Sequence, residues 1–156
     1  MAGAPSLITF PVQRGERQLV VPARPTPYGF KPLSDIDDQD VLRFYRSGIF
    51  FYRSNASKAG LDPVEVIRSA LAEALVHFYP LAGRFRELQP TRKLVVECTG
   101  EGVVFVEADA DVRMEDLGDS LAPPVPGYDK LLCEPENPTA DVVDRPLLYV
   151  QVSAYG

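Results

Sequence analysis

Residues 62–80 read DPVEVIRSALAEALVHFYP, and this segment predicts the clearest helix of the chain. Asp62 suits the N-cap, Pro63 the first helical position and Glu65 the third, which is the arrangement of a capping box. We therefore expect a helix from Pro63 to Phe78, ended by the proline at position 80. The apolar residues that recur at helical spacing, and that we expect to face the core, are Val64, Ile67, Ala70, Leu71, Ala74, Leu75 and Phe78.

Short runs rich in β-branched and aromatic residues lie on both sides of this helix and predict strands. Before the helix, the expected strands cover residues 7–12, 16–21 and 48–53, and the last of them is expected to enter the core. After the helix, they cover residues 83–88, 93–99, 103–108 and 146–153. The Gly100-Glu101-Gly102 turn predicts that the second and third of these later strands form a hairpin. Helices and strands mixed along one chain predict an α+β or mixed α/β fold.

Prolines mark the long connections between these elements. Four prolines between residues 22 and 32 exclude a helix there and favour an extended loop. Residues 112–119 predict a short helix. Five prolines within residues 122–138 predict a surface loop rather than a linker to a second domain, because an apolar strand follows.

The acidic run LSDIDDQD, residues 33–40, has two interpretations. Its carboxylates resemble those of a metal-binding loop, but the glycine and the terminal glutamate of an EF-hand are missing. We favour a turn that leads into a helix, because Ser and Asp side chains accept hydrogen bonds from unpaired backbone N–H groups at such positions. We therefore predict no metal site in this run.

Composition indicates an ordinary globular chain. Of the 156 residues, 46% are apolar and 24% are charged, which argues against disorder. The formal net charge of -6 argues against nucleic acid and anionic membranes as partners. Cys98 and Cys133 lack the spacing of a disulfide scaffold or a zinc site, so we expect two buried or half-buried thiols in a reducing compartment. With no signal peptide and no apolar run long enough to span a membrane, we expect a cytoplasmic protein.

His77 is the only histidine, and histidine is the side chain that titrates near neutral pH. It could be a general base, or a helix residue beside the core face. We favour the helix residue, because no carboxylate lies within the six residues after it to orient the ring. A G-x-S-x-G nucleophile motif is missing, and the sequence leaves open whether Cys98 or Cys133 approaches His77. The residues by themselves predict no catalytic site.

Five segments resemble the N-terminal part of the plant BAHD acyltransferases, in their order and in their spacing. They are LSDIDDQ at 33–39, FYR at 51–53, FYPLAGR at 78–84, ECTGEGVVFVEADAD at 97–111 and PLLYVQV at 146–152. The FYPLAGR segment is the most specific, and the likeness covers nearly the whole chain. Within the family, the chain most resembles the alcohol acyltransferase branch of benzyl alcohol benzoyltransferases and taxane acyltransferases.

The resemblance implies a reaction and a fold. Members of this family transfer an acyl group from a coenzyme A thioester to an alcohol or amine, without a covalently bound cofactor. The base is the His of an H-x-x-x-D motif, which takes the hydroxyl proton while the oxygen attacks the thioester carbonyl. The fold is the two-domain, chloramphenicol-acetyltransferase-like fold, with the active site in a channel between the domains. Residues 1–156 then correspond to an incomplete N-terminal domain, with the second domain absent.

The catalytic motifs of the family have no counterpart in these residues. H-x-x-x-D is expected shortly after the final strand, where the chain reads Ser153-Ala154-Tyr155-Gly156. His77 does not match the motif, because Leu81 stands where the Asp is needed. The second motif, D-F-G-W-G, belongs to the second domain. The resemblance therefore assigns no catalytic residue to this chain.

Three residues before the FYR segment fall where the family can line its acceptor pocket. They are Tyr45, Gly48 and Phe50. The resemblance implies that these residues contact the acceptor. The alternative, which we favour from the sequence, is ordinary core and turn packing.

Three functions fit these observations. The first is a truncated BAHD-like acyltransferase that is inactive alone. The second is a non-catalytic binding or regulatory module that pairs with a full-length relative, with another chain or with itself through an exposed sheet edge. The third is an enzyme completed by another polypeptide that supplies the missing histidine.

Overall fold

A mixed arrangement of strands and one long helix is found in the computed structural model, which describes residues 9–117, 127–137 and 141–155. The strands in these ranges are β1 (Val12–Arg14), β2 (Gln18–Val20), β3 (Phe30–Pro32), β4 (Arg84–Leu88), β5 (Lys93–Glu97), β6 (Val103–Ala110) and β7 (Tyr149–Tyr155). The α-helix, α1, spans Pro63–His77. Single 3-10 turns cover Asp40–Leu42, Ala56–Lys58, Tyr79–Ala82, Met114–Leu117 and Tyr128–Leu131. The predicted α+β or mixed α/β class is confirmed. None of the described helices is long and apolar enough to cross a membrane.

Helix α1 begins as its capping residues predict. The Asp62 carboxylate accepts a 2.9 Å hydrogen bond from the Val64 backbone N–H, which satisfies one of the donors left free in the first turn. Glu65 forms a 2.9 Å ion pair with Arg68 instead of returning to the N-cap, so only half of the capping box forms. The helix ends at His77, just before the predicted end.

Only part of the predicted apolar stripe of α1 is covered. Val64 and Leu75 are buried, and Leu71 is half-buried against the same cluster. The predicted core residues that remain exposed are Ile67, Ala70, Ala74 and Phe78. The helix lies on the larger sheet with the Arg68 guanidinium 5.1 Å from the ring of the buried Phe105. The Ile67 side chain of the stripe is 39% exposed.

The larger sheet is built around β6. Strands β1 and β2 pair antiparallel with one edge of β6, and β7 pairs parallel with the other, with Phe105 opposite Val150. One apolar cluster lies between α1 and this sheet. Its buried residues are Val20, Val64, Leu75, Ala82, Val103 and Phe105, and the partly buried Leu148, Val150 and Val152 pack against them. A second cluster consists of Phe10, Ala110, Val112, Leu117 and Leu131. Strand β6 contributes to both clusters and is the centre of the core.

The smaller sheet corrects the predicted hairpin. It has the order β3-β5-β4, so β4 pairs with β5, while β5 and β6 lie in different sheets. The prediction that residues 93–99 and 103–108 pair is therefore wrong. Gly100 and Gly102 have φ values of 71° and 97°, and the Gly102 N–H donates a 3.0 Å hydrogen bond to the Ala82 carbonyl. These glycines adopt left-handed conformations that carry the chain from one sheet to the other instead of folding it back.

The predicted strand at residues 48–53 is also wrong. Ile49 and Phe51 pack against the second cluster, whereas Phe50 and Tyr52 are 81% and 79% exposed. The alternation typical of a strand is present, but no described strand lies beside the segment to complete a ladder. The segment is therefore an extended wall on the surface of the core.

The other predicted strands form, with shifted ends. The predictions at 16–21, 83–88, 93–99 and 103–108 correspond to β2, β4, β5 and β6. The prediction at 7–12 is displaced, because β1 begins at Val12, and the residues before position 9 lie outside the described part. The last predicted strand corresponds to β7, which begins later because Pro146 bridges to Arg84 of the smaller sheet instead.

The predicted loops and the short helix are confirmed in part. Residues 22–32 contain no helix, and β3 forms at their end. The described part of residues 112–119 forms a single 3-10 turn, and the last two residues of this range lie outside the described part. The ends of the predicted loop at 122–138 also lie outside it. Between them, Leu131 and Leu132 are buried, so this part is not the surface loop that the prolines predict.

The acidic run forms the predicted turn but very little helix. The Ser34 hydroxyl accepts a 3.2 Å hydrogen bond from the Asp37 backbone N–H. Only the 3-10 turn Asp40–Leu42 follows. The turn brings the acidic side chains towards the β4–β5 hairpin.

Candidate functional site

A cleft with a volume of about 1260 Å³ lies in the described part of the chain. Its walls are the extended segment 42–55, the first turns of α1, residues 131–135 and β7. Residues from both faces of β7 contribute, so the cleft runs along the edge of β7 that β6 does not occupy. This arrangement gives one concave surface, which is the usual form of a small-molecule site.

The three residues predicted to line an acceptor pocket all lie on this cleft. Tyr45, Gly48 and Phe50 come from the extended segment and are brought to the same wall. The Phe50 side chain is 81% exposed, and a Cβ atom added at Gly48 would meet no atom within 4 Å. Phe50 and Gly48 therefore border open space, and Tyr45 is the one that packs.

Tyr45 connects the wall to the segment that leads into β7. Its hydroxyl donates a 2.9 Å hydrogen bond to the Pro146 carbonyl, and its ring meets the Tyr149 ring edge-on at 5.3 Å between centroids. Burial, assisted by Tyr149, raises the pKa of Tyr45 to about 12. The hydroxyl is therefore neutral near pH 7 and already donates to a carbonyl, so it is not a base.

Strand β7 is a fixed wall of the cleft. Val150 and Val152 pack beneath α1, and the intervening Gln151 side chain accepts a 2.9 Å hydrogen bond from Arg14 Nε. The Gln151 amide also donates a 3.0 Å hydrogen bond to the Ser153 hydroxyl. Strand β7 is thus held by apolar packing on one face and by hydrogen bonds on the other.

Aromatic side chains give the cleft an apolar character. Phe44, Phe50 and Tyr52 lie on it with large exposed surfaces, and the Arg46 guanidinium lies 5.1 Å from the Phe44 ring centroid. Such a surface favours an aromatic or aliphatic group that is removed from water on binding. The cleft can therefore bind an apolar acceptor, while its described lining offers no histidine for proton transfer.

His77 and Cys98 lie apart from the cleft, whereas Cys133 is part of its lining. His77 is exposed in the last turn of α1 and does not line the cleft, as expected of a helix residue. Cys98 is buried and Cys133 is half-buried, and both are free thiols as predicted. Burial raises the pKa of each thiol, which keeps it protonated and weakly nucleophilic near pH 7. Among the described residues, no three His, Cys, Asp or Glu side chains form a group that could hold a metal ion.

One cleft residue, Arg43, was missed by the sequence analysis. Its guanidinium donates a 2.7 Å hydrogen bond to Glu87 on β4, which anchors the start of the wall to the smaller sheet. A single arginine directly after an acidic run was the available signal. Its partner is 44 residues away, so no local pattern identified the contact.

Comparisons with known proteins identify the family of the chain. A model of the Transferase family matches residues 10–156. The chain is 56% identical over 148 residues to (Z)-3-hexen-1-ol acetyltransferase of Arabidopsis thaliana, and the match covers 94% of this chain and 32% of that protein. It is 53% identical over 148 residues to benzyl alcohol O-benzoyltransferase of Petunia hybrida, with 95% of this chain and 32% of that protein covered. The chain thus spans about a third of the length of these curated relatives.

The fold agrees with a solved structure of the same kind. The crystal structure of vinorine synthase superposes with a TM-score of 0.52 at 20% sequence identity, covering 93% of this chain and 35% of that one. This likeness confirms the expected part of the chloramphenicol-acetyltransferase-like fold. Because the family model matches nearly all of the sequence, the chain belongs to the BAHD acyltransferase family, whose members transfer acyl groups to alcohols or amines.

Proposed function

We propose that this chain forms the acceptor-side wall of an acyltransferase that moves an acyl group from coenzyme A to a small alcohol, with an amine as the alternative acceptor. The observation that carries the proposal is the joining of Tyr45, Gly48 and Phe50 with β7 along one apolar cleft. A rigid wall contributes to catalysis by holding the acceptor hydroxyl close to the thioester carbonyl. The chain therefore supplies binding and orientation.

We propose that a residue outside these 156 takes the proton from the acceptor. The single histidine, His77, is exposed and away from the cleft. A His of an H-x-x-x-D motif takes the acceptor proton, the acceptor oxygen bonds to the thioester carbonyl carbon, and the C–S bond breaks to release the coenzyme A thiolate, which gains a proton. We therefore propose that residues 1–156 belong to a first domain, that a second domain completes the channel, and that the chain alone is inactive.

The lining favours aromatic or aliphatic alcohols as acceptors. Phe44, Phe50 and Tyr52 provide a large exposed apolar surface within a cleft whose lining also includes the carboxylates Asp37 and Glu115. The names of the two curated relatives refer to hexenol and benzyl alcohol, which are acceptors of this kind.

A chimaera tests the proposal directly. Residues 10–155 of this chain replace the matching third of the petunia benzoyltransferase, which supplies the rest of the fold. With benzoyl-CoA and benzyl alcohol, we expect the chimaera to form ester and the 156-residue chain alone to form none. Saturable turnover by the chain alone, or a folded chimaera without ester, would contradict the proposal.

A second candidate function is a non-catalytic module that pairs with another chain through β7. This strand reads YVQVSAY, which has no charge and no proline, and β6 is the strand that pairs with it in the described part. An uncharged edge strand invites pairing with another strand. We expect concentration-dependent self-association in sedimentation velocity, reduced by Ala154→Lys at an exposed position of the strand. A strictly monomeric wild-type chain that also fails to bind a full-length relative would contradict this candidate.

We also propose that the chain resides in the cytoplasm. Cys98 and Cys133 are both free, which is typical of proteins kept in a reducing compartment. Fluorescence of a C-terminally tagged chain in plant cells tests the location. A signal confined to the secretory pathway would contradict it.

A further inference from the structure

The acidic run is fastened to the start of β5 by specific contacts. The Lys93 ammonium donates a 2.9 Å hydrogen bond to Asp35, and the Leu94 backbone N–H donates a 2.8 Å hydrogen bond to Asp38 Oδ1. These carboxylates therefore bind partners within the chain. The run works as an attachment between the extended wall and the β4–β5 hairpin.

Arg43 closes this attachment. Its guanidinium donates a 2.7 Å hydrogen bond to Glu87 and a 2.6 Å hydrogen bond to the Arg92 carbonyl, and it lies 3.7 Å from Asp38. The Nε atom of Arg43 lies 3.2 Å from an Asp40 carboxylate oxygen. The two groups form an ion pair, but Nε makes no hydrogen bond. The Arg43 side chain is only 10% exposed, so it cross-links the run and the hairpin within the protein.

The charge state of Arg43 supports this role. Burial acts to lower the pKa of Arg43, but the Glu87 hydrogen bond and the charges of Asp40, Glu87 and Asp38 outweigh it, so the pKa is raised. The Arg43 hydrogen bond in turn lowers the pKa of Glu87. Both partners stay charged near pH 7, and charge-assisted hydrogen bonds are the stronger kind.

The cleft wall depends on few other contacts. Among the described residues between Arg43 and Phe50, the other contacts to distant parts of the chain include the Tyr45 hydrogen bond to Pro146, the packing of the Tyr45 ring on Tyr149 and the packing of Ile49. The Tyr128 hydroxyl also donates a long 3.4 Å hydrogen bond to the Ser47 carbonyl. Gly48 and Phe50 border open space. Tyr45 thus joins the wall to the segment before β7, whereas Arg43 joins the start of the wall to the β4–β5 hairpin.

We propose that Arg43 is a positioning residue: its cross-link to the β4–β5 hairpin fixes residues 44–50 and sets the width of the acceptor side of the cleft. The role in acceptor binding rests on the proposed function, whereas the role in fixing the wall does not. Because Arg43 acts through the position of the wall, we expect its loss to change acceptor binding more than the chemical step. These two effects can be measured separately.

Cys133 provides a readout in the 156-residue chain that needs no activity. Cys133 lines the cleft and is half-buried, whereas Cys98 is buried directly after β5 and does not line the cleft. In Arg43→Met, we expect maleimide to label Cys133 roughly tenfold faster than in the wild type, because the loss of a hydrogen bond between charged groups makes local opening of the wall more favourable. Peptide mass spectrometry identifies the labelled cysteine. Labelling of Cys98 should stay slow, which shows that the core remains folded.

Matched variants separate the cross-link from general charge effects. Arg24→Met removes an arginine with a comparable 2.8 Å ion pair, to Glu73, but at an exposed position away from the cleft. This variant should label like the wild type. Glu87→Gln weakens the cross-link from the hairpin side without altering the cleft lining and should accelerate labelling in the same direction. Unchanged Cys133 labelling in both Arg43→Met and Glu87→Gln would overturn the inference.

The chimaera measures the effect on the acceptor. Arg43→Met should raise the KM for benzyl alcohol roughly tenfold, with little change in kcat or in the KM for benzoyl-CoA. Arg43→Lys keeps the charge but cannot reach Glu87 and the Arg92 carbonyl with a planar fork, so it should restore only part of the binding. An active chimaera whose Arg43→Met variant keeps the wild-type acceptor KM would overturn the acceptor role alone. A wild-type chimaera without ester would contradict the proposed function, and the labelling result would still decide whether Arg43 fixes the wall.

Discussion

The Tyr45 hydroxyl donates a 2.9 Å hydrogen bond to the carbonyl oxygen of Pro146, a residue 101 positions later in the chain. This contact joins the extended wall of the cleft to the segment that leads into β7. The edge-on packing of the Tyr45 ring on Tyr149 supports the same junction. Two sides of the cleft are thus connected directly, which gives Tyr45 a structural role within a binding surface.

Replacement of Tyr45 by Phe tests this connection. The ring packing is retained, but the partly buried Pro146 carbonyl loses its donor, so we expect the free energy of unfolding to fall by about 1 kcal/mol. Urea denaturation of the 156-residue chain measures the change. Tyr52→Phe is the control, because the Tyr52 side chain is 79% exposed. Equal stabilities of Tyr45→Phe and the wild type would show that the hydrogen bond contributes nothing.

Gly102 is predicted to be intolerant of a side chain. Its φ of 97° strains an L-residue, and a Cβ atom would overlap the Val20 backbone carbonyl. We expect Gly102→Ala to destabilise the chain by about 1–3 kcal/mol in urea denaturation. Gly29→Ala is the control, since a Cβ atom there meets nothing within 4 Å, and it should change stability by less than about 0.5 kcal/mol. Similar losses in both variants would argue against the strain at Gly102.

Gly48 should tolerate a side chain in the fold but not in the binding site. A Cβ atom at Gly48 has open space around it, so Gly48→Val should unfold at nearly the wild-type urea concentration. In the chimaera, the added side chain occupies the cleft, and we expect kcat/KM for benzyl alcohol to fall about tenfold, with a smaller loss for ethanol. Equal losses for the two alcohols would indicate a general defect rather than a narrower pocket.

We expect Glu97 to make the stability of the smaller sheet depend on pH. Its carboxylate accepts hydrogen bonds from the Tyr28 hydroxyl at 2.7 Å and from Arg86 Nε at 2.5 Å, and these bonds lower the pKa of Glu97. A carboxyl group whose pKa is lower in the folded state than in the unfolded state stabilises the fold at pH values above its ordinary pKa of 4.5. This stabilisation is lost as the pH falls through the lowered pKa of the folded state.

The acid dependence can be measured with one substitution. We expect Glu97→Gln to lower the melting temperature at neutral pH and to reduce its fall on acidification, because one titrating group has been removed. Glu136→Gln, at a side chain that is 83% exposed, should keep the wild-type dependence. If Glu97→Gln and the wild type lose stability in parallel as the pH falls, Glu97 is not the group responsible.

Local patterns identified the elements of the fold. The start of α1 follows from Asp62 and Pro63, whose effects extend over one helical turn. Strands β5 and β6 follow from their valines, with turn residues at the ends of the strands. These features depend on neighbours within a few residues, so they can be recognised without the rest of the structure.

The sequence did not correctly predict which strands pair with each other. The turn at Gly100 and Gly102 has the composition of a hairpin, but β5 and β6 pair in separate sheets. The apolar arc of α1 was identified, yet which half is buried depends on how the helix lies above Phe105. A turn sequence permits several chain directions, and the competition for strand partners selects one of them.

The sequence by itself determined the mixed α/β class, the capped helix, most of the strands and, through the FYPLAGR segment, the family to which the chain belongs. Only the tertiary structure decided that Tyr45, Gly48 and Phe50 share a cleft with β7, and that Arg43 is bonded to Glu87. The physical reason is the range of the interactions. Capping and strand propensity act between near neighbours. The cleft instead depends on the contacts Arg43–Glu87 and Tyr45–Pro146, whose partners are separated by 44 and 101 positions in the sequence. Such contacts form only when the two sheets have assembled.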